Sequence, residues 1–188
     1  METSFLDKGA KTLGKKQYHI HLSPGDIGEY VLLPGDPARS DRVADCLDDA
    51  RLVGNNREHR SFTGYYKDVK ISVTSTGMGC PSTAIAVEEL INIGAECLIR
   101  IGSSGALQPD LRIGDLIISV GSMKNEGTSR FYVPDCFPAV PDFDLTRTLA
   151  KGLTPWVPKD VEGLDMRYFG GAWMPSANEG FVPRGLRM

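Results

Sequence analysis

Short apolar runs alternate with glycine-rich breaks along this chain, and the breaks repeatedly fall where a run has just ended. Tyr30–Leu33 reads as a buried strand and is followed by Pro34-Gly35-Asp36-Pro37-Ala38-Arg39. Asp36 suits a helix N-cap and Pro37 the first helical position, so a helix is predicted from there to about Leu47. Tyr65–Lys67 and Val69–Thr74 alternate as a hairpin joined through Asp68. The break Thr74–Ser82 leads into a helix through Ile93, ended by Gly94, that buries Ile85, Leu90 and Ile93 while Glu88 and Glu89 can face water. Cys97–Ile101 is a further strand, and Gly102-Ser103-Ser104-Gly105 breaks it. Asp115–Val120 reads as another buried strand and Asp144 to about Leu153 as a helix. Tyr18–Leu22 alternates like a strand and stops at Ser23-Pro24-Gly25-Asp26. The polar run Arg51–Gly64 reads as a solvated loop, and residues 121–143 are loop-like. Successive strand–helix–strand units predict an α/β sheet with right-handed crossovers.

Ligands of such sheets bind at the carboxyl ends of the strands, which is where these breaks lie. Arg100 stands in the strand where an aliphatic residue is expected. A guanidinium there is costly unless an anion or a fixed acceptor pairs with it. The Gly102–Gly105 turn beside it is small, bears two hydroxyls and can converge backbone N–H groups, which suits a phosphate or carboxylate. The stretch equally fits a strand-ending turn whose arginine reaches solvent or an internal carboxylate. Arg39, in a first helical turn, is a cation at the positive end of a helix, an unfavourable place unless it helps to hold an anion. Gly77 and Gly79 have the first spacing of a dinucleotide fingerprint, but Ser82 replaces the third glycine and Pro81 interrupts the motif, so no Rossmann cofactor site is expected.

Composition narrows the classes. With 188 residues, 41% apolar and 24% charged, the chain suits one soluble globular domain. A net charge of −3 gives no general attraction to nucleic acid or anionic membrane, so any anion site is local. No apolar run reaches spanning length. Residues 1–17 read as a loose, lysine-bearing tail without a signal-peptide core. Cys46, Cys80, Cys97 and Cys136 form no CxxC pair and read as reduced thiols, which points to the cytoplasm. His19 and His21 have only His59 as a possible further histidine partner, so no metal is expected.

Four segments carry a resemblance. LLPGDPARSDRVA, STGMGCPSTAIAVEEL, IRIGSSGALQPDLRIGDLII and FPAVPDFDLTRTL together closely resemble the nucleoside phosphorylase family, which includes uridine phosphorylase and hexameric purine nucleoside phosphorylase. The uridine branch is the nearer, and a purine specificity is the alternative. The resemblance implies a three-layer α/β/α fold with a mixed, twisted sheet, and cleavage of a nucleoside by inorganic phosphate to free base and ribose 1-phosphate. It places Gly35, Arg39, Arg57, Arg100, Gly102 and Ser103 at the phosphate, with Arg57 supplied by a neighbouring subunit. His19 matches the histidine that crosses the same interface to the ribose 5′-hydroxyl. A homo-oligomer of dimer units, reaching a hexamer, is expected, with phosphate as co-substrate and no metal or organic cofactor. The family's Glu-Met-Glu-type ribose motif has no counterpart in Thr154–Met188, which looks unlike the family. The C-terminal part of the fold is therefore expected to be missing or replaced, and the chain by itself to turn over little nucleoside. The competing expectation is a non-catalytic remnant that keeps a phosphate site or a subunit interface.

Overall fold

The computed structural model describes residues 15–105, 109 and 111–153. Residues 1–14 of the expected tail, the ending 154–188 and part of the loop after Gly105 lie outside the described residues. Two compact units divide the chain, Met1–Ser104 and Gly105–Met188.

The first unit is built on a five-stranded mixed sheet. Its elements are β1 (Tyr30–Leu33), α1 (Pro37–Ala44), β2 (Asp48–Asn56), β3 (His59–Tyr66), β4 (Val69–Thr74), α2 (Cys80–Asn92) and β5 (Cys97–Arg100). The strand order is β2-β3-β4-β1-β5. β1 pairs parallel with β4 on one side and β5 on the other, while β2, β3 and β4 form an antiparallel meander. This is the α/β sheet that the pattern predicts. The core gathers Val31 and Leu33 of β1, Leu90 of α2, Ile93 and Ala95 beyond it, and Ile20, Leu22 and Ile27 from the N-terminal segment.

α1 begins as predicted, with the Asp36 carboxylate accepting the Ala38 N–H at 2.9 Å and Pro37 opening the helix. It ends at Ala44, short of Leu47, because Cys46 and Leu47 are already in tighter turns that feed β2. Arg51–Gly64 is not a solvated loop: apart from the Arg57–Glu58 turn that joins them, it belongs to β2 and β3. The run reads as polar because β3 buries hydroxyls instead of aliphatics. Thr63 faces Ser72 across the β3–β4 ladder with their hydroxyl oxygens 2.8 Å apart, and the Thr74 hydroxyl donates to Ser61 at 2.9 Å. A buried hydroxyl so paired costs little, yet it erases the apolar alternation that announces a strand.

Tyr18–Ile20 is a turn and His21–Leu22 irregular, with no ladder partner among the described residues, although Ile20 and Leu22 are fully buried. Its alternation records two anchors driven into the core, with His21 at φ 57 between them. Gln17, at the edge of the expected tail, is buried and its N–H donates to the Leu22 carbonyl.

The β3–β4 hairpin turns at Lys67 and Asp68, both at positive φ (49 and 66). Positive φ at both central residues fits the twist of a two-residue hairpin but strains L side chains. Asp68→Gly is expected to raise stability by about 0.5–1 kcal/mol, read as a higher urea midpoint. A lower midpoint would show that the Asp68 side chain contributes more than its backbone strain removes.

In the second unit, α3 spans Phe143–Leu153, and the Asp142 carboxylate accepts the Leu145 N–H at 2.8 Å at its start. Asp115–Val120 is not a strand: Leu116 and Ile117 are exposed, and no described strand pairs with them. An apolar run becomes a strand only where a partner satisfies its backbone. Residues 121–143 are irregular apart from a Ser122–Ala139 bridge and a short 3-10 turn, Ser129–Phe131. No helix among the described residues is long and apolar enough to cross a membrane.

Candidate anion site at the strand ends

The parallel pairings bring three loops side by side. Leu33 is in register with Arg100, and Leu32 with Val73, so β1, β4 and β5 end together. Hydrogen bonds carry this alignment beyond the strands. The Thr76 N–H donates to Pro34 at 2.8 Å, the Gly77 N–H to Gly35 at 2.9 Å, and the Ile101 N–H to Leu33 at 3.2 Å. Gly77 sits at φ 70, and a Cβ there would meet the Glu58 side chain at 2.6 Å, so the position requires glycine.

Arg39, Arg100, Ser103, Gly35 and Gly102 meet at these ends. The Arg39 Nη2 donates to the Ser103 hydroxyl at 2.8 Å. The Arg100 Nη1 donates to the Leu33 carbonyl at 2.8 Å and to the Ile101 carbonyl, two fixed acceptors that hold the guanidinium back over its own strand end. Burial lowers the Arg100 pKa from its ordinary value, and the nearby Arg39 charge lowers it further. Among the described residues the ion pairs include neither of these arginines, nor Arg57. Two like charges held together beside a hydroxyl, with no described carboxylate paired to them, favour an anion between them.

Gly35 and Gly102 act here through what they lack. A Cβ on Gly35 would stand 3.1 Å from Arg100 Nη2, and one on Gly102 would stand 3.3 Å from Nη1. Gly35→Ala is expected to push the guanidinium aside and weaken phosphate binding about tenfold, while stability stays within about 0.5 kcal/mol. Calorimetric titration with phosphate beside a urea melt separates the two effects; equal phosphate affinity would show that the guanidinium does not need that space.

Arg57 stands apart from this group, exposed at the tip of the β2–β3 hairpin with φ 53. Glu58, beside it, accepts the Ser82 hydroxyl at 2.8 Å and so ties the hairpin tip to the start of α2. Hydrogen bonding from its own N–H, and then from Ser82, holds the Glu58 carboxyl below the usual range. His59 is buried, and its Nδ1–H donates to the Ser75 carbonyl at 3.0 Å. Among the described residues no three His, Cys, Asp or Glu side chains converge as a metal site.

His19 lies on the Tyr18–Ile20 turn, with Nδ1 2.6 Å from Glu89 Oε1. Glu89 is therefore not the water-facing helix residue that periodicity suggests. Its carboxylate accepts the N–H groups of His19 and Ile20 as well. Nothing local in the sequence signals this contact, because the partners are 70 positions apart. Burial alone would raise the Glu89 pKa, but the Ile20 N–H, the His19 ring and the His19 N–H outweigh it and leave the carboxyl below its ordinary value. A carboxyl lowered on folding stabilises fully above its unfolded pKa and loses that contribution as pH falls through the folded one. Urea midpoints measured from pH 7 downward should therefore converge for the wild type and Glu89→Gln once pH drops below the usual carboxylate range. A constant gap down to strong acid would contradict the assignment.

The phosphorylase superfamily model matches residues 29–172, which runs past the last of the quoted motifs. Uridine phosphorylase of Thermococcus kodakarensis is 51% identical over 81% of this chain and 52% of its own length. Uridine phosphorylase of Treponema pallidum is 52% identical over 71% of this chain and 52% of its own. Guanosine phosphorylase of Halorubrum lacusprofundi is 47% identical over 71% and 56%. A crystal structure of uridine phosphorylase from Vibrio fischeri superposes with a TM-score of 0.72 at 40% identity, covering 74% of this chain and 58% of that one. The chain thus spans about half the length of the relatives it matches. With the family model over most of its length and the same sheet in a solved relative, the chain belongs to the phosphorylase superfamily.

Proposed function

We propose that this chain carries the phosphate-binding part of a nucleoside phosphorylase, whose reaction is phosphorolysis of uridine to uracil and ribose 1-phosphate. The observation that carries it is the Arg39–Ser103–Arg100 group, two guanidiniums and a hydroxyl held at aligned strand ends, with no ion pair to a carboxylate among the described residues. Phosphorolysis builds positive charge on the ribose and negative charge on the departing base. A phosphate anion fixed beneath C1′ offsets the first and is already placed to attack. Gly35 and Gly102 leave room for the Arg100 guanidinium beside that anion. The exposed, hairpin-tip position of Arg57 suits a residue that serves a neighbouring subunit's phosphate, and His19 is the nucleoside contact across the same interface. The reaction needs phosphate as co-substrate and calls on neither a metal nor an organic cofactor. The names of the similar proteins favour uridine, with guanosine next.

The test joins binding to turnover. Calorimetry should show inorganic phosphate bound and displaced by ribose 1-phosphate, and any release of base should depend on phosphate, faster from uridine than from inosine or guanosine. Failure to bind either ligand, or release of uracil that persists without phosphate, would overturn the reading.

A further inference from the structure

Glu89 directs its carboxylate at one turn of the chain. Oε2 accepts the His19 N–H at 2.9 Å and the Ile20 N–H at 2.8 Å, while Oε1 faces the His19 Nδ1 at 2.6 Å. The Glu89 side chain is 13% exposed and that of His19 34%, so the anchor is covered and the ring reaches the surface. The turn is held from other sides too. Asn56 Nδ2 donates to the His19 carbonyl at 2.7 Å, Asn92 Nδ2 donates to Gln17 Oε1 at 3.3 Å, and Ile20 and Leu22 are fully buried. The Tyr18 ring meets the imidazole edge-on at 5.0 Å between centroids.

Such fixing of a surface histidine exceeds what packing two apolar anchors requires. An ionised carboxylate only accepts hydrogen bonds, so the ring nitrogen facing it carries the proton. In the neutral imidazole the other nitrogen, Nε2, is then an acceptor, and its direction is set by the Nδ1 bond. We propose that Glu89 is a positioning residue of the nucleoside site: it locks His19 in the Nδ1–H tautomer so that Nε2 presents a lone pair to a sugar hydroxyl. The assignment of the ligand rests on the function proposed above; the lock on the ring rests on the hydrogen bonds alone.

Glu89→Gln separates these claims. The amide keeps the shape of the carboxylate but has one acceptor oxygen, and both Glu89 oxygens meet donors. However the amide turns, its NH2 group confronts an N–H. The measurement is a long-range 1H–15N spectrum of the full chain labelled in histidine, with His19 assigned from His19→Gln. Neutral His19 should be the Nδ1–H tautomer in the wild type and move towards Nε2–H in Glu89→Gln. An Nε2–H tautomer in the wild type, or identical spectra in the two, would overturn the lock; the wild-type spectrum decides this even if the variant folds poorly.

Calorimetry with phosphate present then compares uridine with 5′-deoxyuridine, which lacks the hydroxyl assigned to His19. The wild type should prefer uridine by about tenfold, and Glu89→Gln should lose that preference while keeping its affinity for the deoxy compound. Equal affinities in the wild type, with the tautomer as expected, would overturn the positioning role. Binding of neither nucleoside would overturn the positioning role, and the phosphorylase reading would fall with it only if phosphate is unbound as well; the tautomer would still decide whether Glu89 locks His19.

Discussion

Replacing Arg100 with alanine is expected to weaken the binding of inorganic phosphate by about 1.5–3 kcal/mol, the worth of hydrogen bonds from a charged donor that stays partly exposed. Several observations place the effect there. The guanidinium is held by the Leu33 and Ile101 carbonyls, so it is oriented before any ligand arrives. Its neighbours Gly35 and Gly102 leave it room, and Arg39 reinforces the positive field from the other side through Ser103. Arg100→Lys should recover only part of the loss, since an ammonium cannot serve two carbonyls and an anion in the same planar geometry. Isothermal calorimetry with phosphate checks both variants. Unchanged affinity in Arg100→Ala would mean that the guanidinium merely closes the strand end and that the anion lies elsewhere.

The second large effect concerns stability. Leu90 of α2 is fully buried in the cluster that joins Val31 and Leu33 of the sheet to Ile20 and Leu22 of the N-terminal turn. Leu90→Ala should cost about 2–5 kcal/mol through lost transfer energy and the cavity left behind. Against a typical domain stability of about 5–15 kcal/mol that is a large share, and a urea melt should show it at once. Because Leu90 neighbours Glu89 on the helix and packs on the turn that carries His19, the His19 resonances should broaden or shift. Phosphate affinity of the folded fraction should stay near wild type, since the arginine group hangs from β1, β5 and α1 instead. A loss below about 1 kcal/mol would show that the core closes over the missing side chain.

The parts of this site that sequence determined are those whose physics is local. Asp36-Pro37 caps and starts α1 within one turn, so the position of Arg39 could be read directly. The glycine-rich breaks after Leu33, Thr74 and Arg100 mark strand ends because only such residues let the backbone turn and crowd there. Arg100 and Ser103 stood out because a charge at the end of an apolar run needs an explanation within a few residues. The α/β class followed from the same spacing of runs and breaks.

Only the tertiary structure decided the rest, and in each case the partner is distant along the chain. β2 and β3 look like a loop in the sequence because the hydroxyls of Ser61 and Thr63 are satisfied by Thr74 and Ser72, which no hydropathy pattern can announce. Asp115–Val120 has the apolar character of a strand, but no described strand pairs with it. The two acceptors of Arg100 are its neighbour Ile101 and a Leu33 carbonyl 67 residues away, brought close by the parallel register of β1 and β5. Glu89 reads as one more solvent-facing acid on a helix until α2 docks on the sheet and sets its carboxylate against the His19 turn. Hydrophobic spacing fixes which face of a helix turns inward, but it carries no record of which distant backbone N–H groups wait at the boundary of that face.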